Sequence, residues 1–68
     1  MADASRIGYI ASWAIRDCGG DNDRAFAVTQ MMADFVNDHP GGFEDRPMPD
    51  TYRLAVREGY GRQYGIDA

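Results

Sequence analysis

Asp21-Asn22-Asp23-Arg24-Ala25-Phe26-Ala27-Val28-Thr29-Gln30-Met31-Met32-Ala33-Asp34-Phe35-Val36-Asn37-Asp38 is the stretch from which the fold can be read. It opens on three residues whose side chains accept hydrogen bonds. That suits the free N–H groups and the positive dipole end of a helix start. Ala25, Val28, Thr29, Met32, Phe35 and Val36 then recur at intervals of three and four, the period of one helical face. Phe26 and Met31 widen the stripe at its edges. Asn37-Asp38-His39-Pro40-Gly41-Gly42 stops it, because the residue before a proline resists the helical region.

Towards the N-terminus, Cys18-Gly19-Gly20-Asp21-Asn22 is a break. Before it, Ile7, Ile10, Ala11, Ala14, Ile15 and Cys18 share one face of a helix of about three turns. Asp3 or Ser5 is expected to cap its start, and Gly19 or Gly20 to end it. Towards the C-terminus, the stretch from Asn37 to Pro49 holds all three prolines and reads as a long connector. Phe43 and Met48 are expected to plug it onto the core. A third helix starts at Pro49-Asp50-Thr51 with Asp50 as its cap, and Tyr52, Ala55, Val56 and Tyr60 share a face. Gly59 and Gly61 each cost about 1 kcal/mol against alanine inside a helix, so this one ends near Gly61. The tail is expected to turn and pin Tyr64 and Ile66 onto the core. The predicted fold is all-α: one domain over residues 1–68, a small three-helix bundle with a long connector between helices 2 and 3.

The chain has 68 residues, which is room for one domain. A domain of that size buries only about 60% of its unfolded surface, so its stability margin is thin. The net charge is -4, from eleven acids against seven bases. All the bases are arginine. The acidic balance argues against direct binding to nucleic acid or to anionic lipid, and favours a basic partner. One cysteine, Cys18, excludes an intramolecular disulfide. No apolar run approaches the roughly 20 residues that span a bilayer. The first residues lack the order of a signal peptide, so the expected location is the cytoplasm.

Catalytic and cofactor chemistry find little footing. His39, the single histidine, reads as a helix C-terminal residue. Cys18 falls on an apolar stripe and reads as a structural thiol. One His and one Cys cannot form a four-ligand zinc site. Asp21-Asn22-Asp23 begins like a calcium loop, but Ala25 stands where an oxygen ligand is needed. Gly59-Tyr60-Gly61 lacks the strand-turn-helix setting of a phosphate loop. Tyr60-Gly61-Arg62-Gln63-Tyr64-Gly65 mixes residues that single-strand binders use, yet it sits in an acidic chain. The expectation is a non-enzymatic protein without cofactor or metal.

Surface features carry the remaining candidates. Tyr9 and Trp13 are four apart, on the side of the first helix away from its apolar stripe. Trp and Tyr are enriched at binding hot spots; packing under the third helix or the connector is the competing reading. The acids fall into three groups: Asp17, Asp21 and Asp23; Asp34 and Asp38; and the connector acids Glu44, Asp45 and Asp50. Part of the first group caps a helix. A string of carboxylates can also stand in for phosphates in an Arg/Lys cleft. The candidate partner-binding residues are therefore Asp34, Asp38, Asp21, Asp23, Glu44, Asp45, Tyr9 and Trp13.

In size, charge and lack of motif the chain resembles the small acidic anti-CRISPR proteins of phages and mobile elements. That resemblance implies a non-enzymatic inhibitor that blocks a nucleic-acid-binding surface of a CRISPR effector subunit with acidic side chains, as a DNA mimic. No residue signature carries it, so no functional residue is transferred. The alternative is a small helical accessory or regulatory module, monomer or homodimer, that binds a protein partner or itself through Tyr9 and Trp13. A third reading, nucleic-acid binding through Arg53, Arg57 and Arg62, runs against the net charge.

Overall fold

The computed structural model describes residues 4–39 and 47–66. Asp3, Phe43, Glu44 and Asp45 lie outside them. Three helices occupy the described residues: α1 (Ala4–Asp17), α2 (Asn22–Asp38) and α3 (Met48–Arg57). A 3-10 turn, Arg62–Tyr64, follows. The architecture is the all-α three-helix bundle that the periodicity predicts.

The breaks form as their residues dictate. At the end of α1 the Gly20 N–H donates to the Ile15 carbonyl at 3.4 Å and the Gly19 N–H to the Arg16 carbonyl at 3.3 Å. This paired pattern satisfies the last free carbonyls of a helix. Asp21 then caps α2, its Oδ1 accepting from the Arg24 N–H at 3.0 Å. The result is a tight helical hairpin. The helix α1 begins at Ala4, so Ser5 stands inside its first turn.

α2 is the central element, packed against α1, α3 and the 3-10 turn. It supplies Ala25, Val28, Met31, Met32, Phe35 and Val36 to the core. Ile10 and Ala14 come from α1, Met48 and Ala55 from α3, and Ile66 from the tail. Ile66 thus docks as expected, while Tyr64 packs against the core from its edge.

Three expectations need correction. Met31 is fully buried, whereas Phe26 is 67% exposed, so the two edges of the α2 stripe are not equivalent. On α1 only Ile10 and Ala14 of the predicted stripe are buried; Ile7 and Ile15 are exposed. On the opposite flank of α1, α3 brings an aromatic side chain into contact. Trp13 turns to that flank, half-buried against Tyr52 with ring centroids 5.9 Å apart. Thirdly, α3 starts at Met48 with Pro47 in the cap position, and Asp50 is not its cap. Pro49 fits the first turn because no intrahelical partner is needed there for an N–H. Asp50 instead pairs with the Arg53 guanidinium within α3. The buried Thr51 hydroxyl donates to the Pro47 carbonyl at 3.4 Å, which offsets the penalty of burying it.

Candidate functional site

The last two turns of α2 carry Asp34 and Asp38 on one side of the helix. Residues four apart stack about 5–6 Å from each other, so the two carboxylates form a short acidic ridge. Opposite them lies the chain that leaves α3, and two glycines direct its path. At Gly59 φ is +89°, a left-handed conformation that side chains other than glycine rarely adopt. Its N–H donates to the Val56 carbonyl, and the Tyr60 N–H to the Ala55 carbonyl, both at 3.0 Å. Gly61 is needed for close approach: a Cβ there would lie 2.5 Å from the Ile66 carbonyl oxygen and 3.1 Å from Met31 Sδ. The GxG of the sequence is thus a helix end followed by a tight contact with the core.

That path lays two tyrosines onto the acids. Tyr60 Oη donates to Asp38 Oδ2 at 2.8 Å. Tyr64 Oη donates to Asp34 Oδ2, and Gln63 Nε2 donates to the same oxygen at 3.2 Å. Donation to Asp38 raises the Tyr60 pKa, reinforced by desolvation and by the charges of Asp38, Glu58 and Asp34. Tyr64 is raised by its bond to Asp34, then by desolvation and the Asp34 charge, with Gln63 opposing. Both phenols therefore hold their protons and act as donors.

His39 closes α2. Its backbone N–H donates to the Phe35 carbonyl at 3.0 Å. Its ring lies on Phe35 with centroids 4.7 Å apart, and Tyr60 meets Phe35 edge-on at 5.4 Å. His39 Nε2 is 3.2 Å from Tyr60 Oη and 3.6 Å from Glu58 Oε1. Tyr60 is thus the hub of a cluster that ties the ends of α2 and α3 together.

Between the acidic ridge and the tail is an open hollow of about 450 Å³, lined by Asp34, Asn37, Asp38, Gly59, Tyr60, Arg62 and Gln63. Two acids face one base across it. Each phenol engages only Oδ2 of its carboxylate, and a carboxylate has about four acceptor sites. The ridge therefore keeps accepting capacity toward a guanidinium or ammonium group.

The other sequence candidates fall elsewhere. Asp21 serves as the α2 cap, and Asp23 is exposed in the first turn of that helix. From there to Asp38 the helix rises roughly 20 Å. Tyr9 is 62% exposed, while Trp13 is half-buried and packs against Tyr52 of the third helix, the competing reading for that residue. Tyr52, the ring against Trp13, also accepts from Arg24 Nη2 at 3.3 Å. Glu44 and Asp45 lie outside the described residues. Cys18 is partly buried; desolvation raises its pKa, Asp17 and Asp21 add to the shift, and Arg24 opposes it.

Sequence reasoning passed over Tyr60, Gln63, Tyr64 and His39 as site residues. One signal was present: the tyrosines are spaced by four residues, as are the acids they meet. Among the described residues no group of three or more His, Cys, Asp and Glu could hold a metal ion, and no helix is long and apolar enough to cross a membrane. No protein-family model matches the chain, and no curated protein or solved structure does.

Proposed function

We propose that this chain is a non-enzymatic protein-binding inhibitor whose acidic ridge, Asp34 and Asp38, engages a basic nucleic-acid-binding protein. Its finer form is anti-CRISPR-like: the carboxylates occupy the site of nucleic-acid phosphates on a subunit of a CRISPR effector complex. The observation that supports it most is the anchoring of both carboxylates by phenol donors, Tyr60 on Asp38 and Tyr64 on Asp34. Anchored charges lose less conformational entropy on binding than free side chains do. The role is thus narrower than a general acidic surface, since Asp21, the α2 cap, and Asp23 stand at the other end of that helix.

The test is inhibition of DNA binding by a panel of CRISPR effector complexes at stoichiometric amounts of the protein. One effector is expected to be inhibited, more weakly as salt rises, and Asp34→Asn with Asp38→Asn is expected to remove the inhibition. Inhibition unchanged in that double variant refutes the role of the ridge. An unaffected panel refutes the anti-CRISPR-like form.

A second reading, an accessory module that binds a partner or itself through Tyr9 and Trp13, is favoured by the 62% exposure of Tyr9. Trp13, packed against Tyr52, is half-buried and presents less of itself. Tyr9→Ala is the clean variant for this reading: it leaves the Trp13–Tyr52 packing in place and is expected to abolish association.

A further inference from the structure

His39 is the one histidine of the chain, and the proposed ridge contact does not involve it. It stands where α2 ends, directly after Asp38. Its ring lies on Phe35, and its Nε2 is 3.2 Å from Tyr60 Oη and 3.6 Å from Glu58 Oε1. Tyr60 Oη in turn donates to Asp38 Oδ2 at 2.8 Å. Two hydrogen bonds in series therefore place the imidazole within about 6 Å of a ridge carboxylate.

The protons of this series follow from the partners. Tyr60 has one hydroxyl proton, and it goes to Asp38. The hydroxyl oxygen is then an acceptor toward His39, so Nε2 supplies the proton of the second bond. A neutral imidazole carries a single N–H. Neutral His39 thus holds its proton on Nε2 and leaves Nδ1 bare, and a further proton is taken up at Nδ1. The bond from Nε2 to Tyr60 is present in both states. What changes is the charge behind Tyr60.

We infer that His39 is a proton-operated regulator of the acidic ridge: neutral, it leaves Asp34 and Asp38 to attract a cationic partner; protonated, it sets a positive charge beside them and weakens that attraction. The inference rests on the ridge being the binding site. The groups around the ring give the charge its effect. Glu58 and Tyr60 face it from the end of α3, Asp38 stands beyond Tyr60 with Asp34 one turn earlier on α2, and Arg62 lies across the hollow. Asp38, Glu58 and Asp34 are the charges that act on the Tyr60 hydroxyl, so a cation at His39 offsets the same acids that a partner meets. Hydrogen bonds in series also polarise one another. A charged donor at His39 makes Tyr60 a stronger donor to Asp38, and that carboxylate a poorer acceptor for anything else.

Calorimetric titration with an oligo-arginine peptide at about pH 7.5 and about pH 5.5, at one salt concentration, tests this. Histidine changes charge over that interval and arginine does not. The wild type is expected to bind about threefold more weakly at the lower pH, the effect of one charge roughly 9 Å from the incoming guanidinium in a water-like dielectric. His39→Gln keeps an N–H donor for Tyr60 without a ring that titrates. It is expected to bind as the wild type does at the higher pH and to keep that affinity at the lower. Ring nitrogen shifts of the free wild type are expected to show neutral His39 with its proton on Nε2. Equal wild-type affinities at the two pH values, the same fall in His39→Gln, or a neutral ring protonated on Nδ1 overturns the inference and leaves the ridge reading in place. A peptide that binds at neither pH, or that binds the Asp34→Asn, Asp38→Asn variant as tightly as the wild type, overturns the ridge reading and this inference with it.

Discussion

The hydroxyl of Tyr60 donates to Oδ2 of Asp38 across 2.8 Å, joining two residues 22 positions apart in the chain. With Tyr64 on Asp34, it fastens the end of the chain to the last turns of α2. The same two bonds orient the two acids of the ridge.

The phenol bonds make stability depend on alkaline pH. Both tyrosine pKa values are raised in the fold from about 10 in the unfolded chain. The folded state thus holds these protons more tightly. The contribution is complete below pH 10 and is lost as pH rises through the folded pKa values. Urea unfolding of the wild type is expected to show stability falling above about pH 10. Tyr60→Phe with Tyr64→Phe should be less stable at pH 7 and lose less between pH 9 and 11.

Gly61→Ala is expected to be more damaging than Gly59→Ala. At Gly61 the new Cβ meets backbone, 2.5 Å from the Ile66 carbonyl oxygen, and its relief moves the tail off the core. Overpacking of this kind costs about 1–3 kcal/mol. At Gly59 the contact is with the Arg62 side chain at 3.5 Å, and the main penalty is the left-handed backbone, roughly 1–2 kcal/mol. Midpoints of urea unfolding for the two variants check the order.

Asp21 and Asp23 should separate cleanly. Asp21→Ala removes the α2 cap bond and is expected to cost about 1 kcal/mol. Asp23→Asn keeps a polar residue in the first turn and should change stability by no more than about 0.5 kcal/mol. Equal losses from both would show that charge at the helix start, not the cap bond, is what matters.

Cys18 should be a slow thiol. Desolvation and the acids beside it keep it protonated, and only the thiolate attacks an alkylating reagent. Alkylation at pH 8 is expected to be slower in the folded protein than in urea. Equal rates would contradict the burial of this side chain.

The helices were legible because each carries its own signals: period-three-and-four stripes, the Asp21 cap, and the glycines that end α1. Which flank of α1 is buried was not, because that depends on where α3 docks. The stripe alone made Ile15 a core residue and left Trp13 outside; the tertiary contact with Tyr52 reverses both. The site was half legible. Asp34 and Asp38 stood out as a pair. Their partners, 22 and 30 residues away, did not, because a turn set by Gly59 and Gly61 brings them in.

The most direct test of the acidic ridge as a binding site is a ¹⁵N chemical-shift titration with an arginine-rich peptide, in the wild type and in the Asp34→Asn, Asp38→Asn variant. The account predicts shifts centred on Asp34, Asn37, Asp38, Tyr60, Arg62 and Gln63 in the wild type, weakened by salt and absent from the variant. Shifts centred on Asp21 and Asp23, or equal shifts in both proteins, would contradict it.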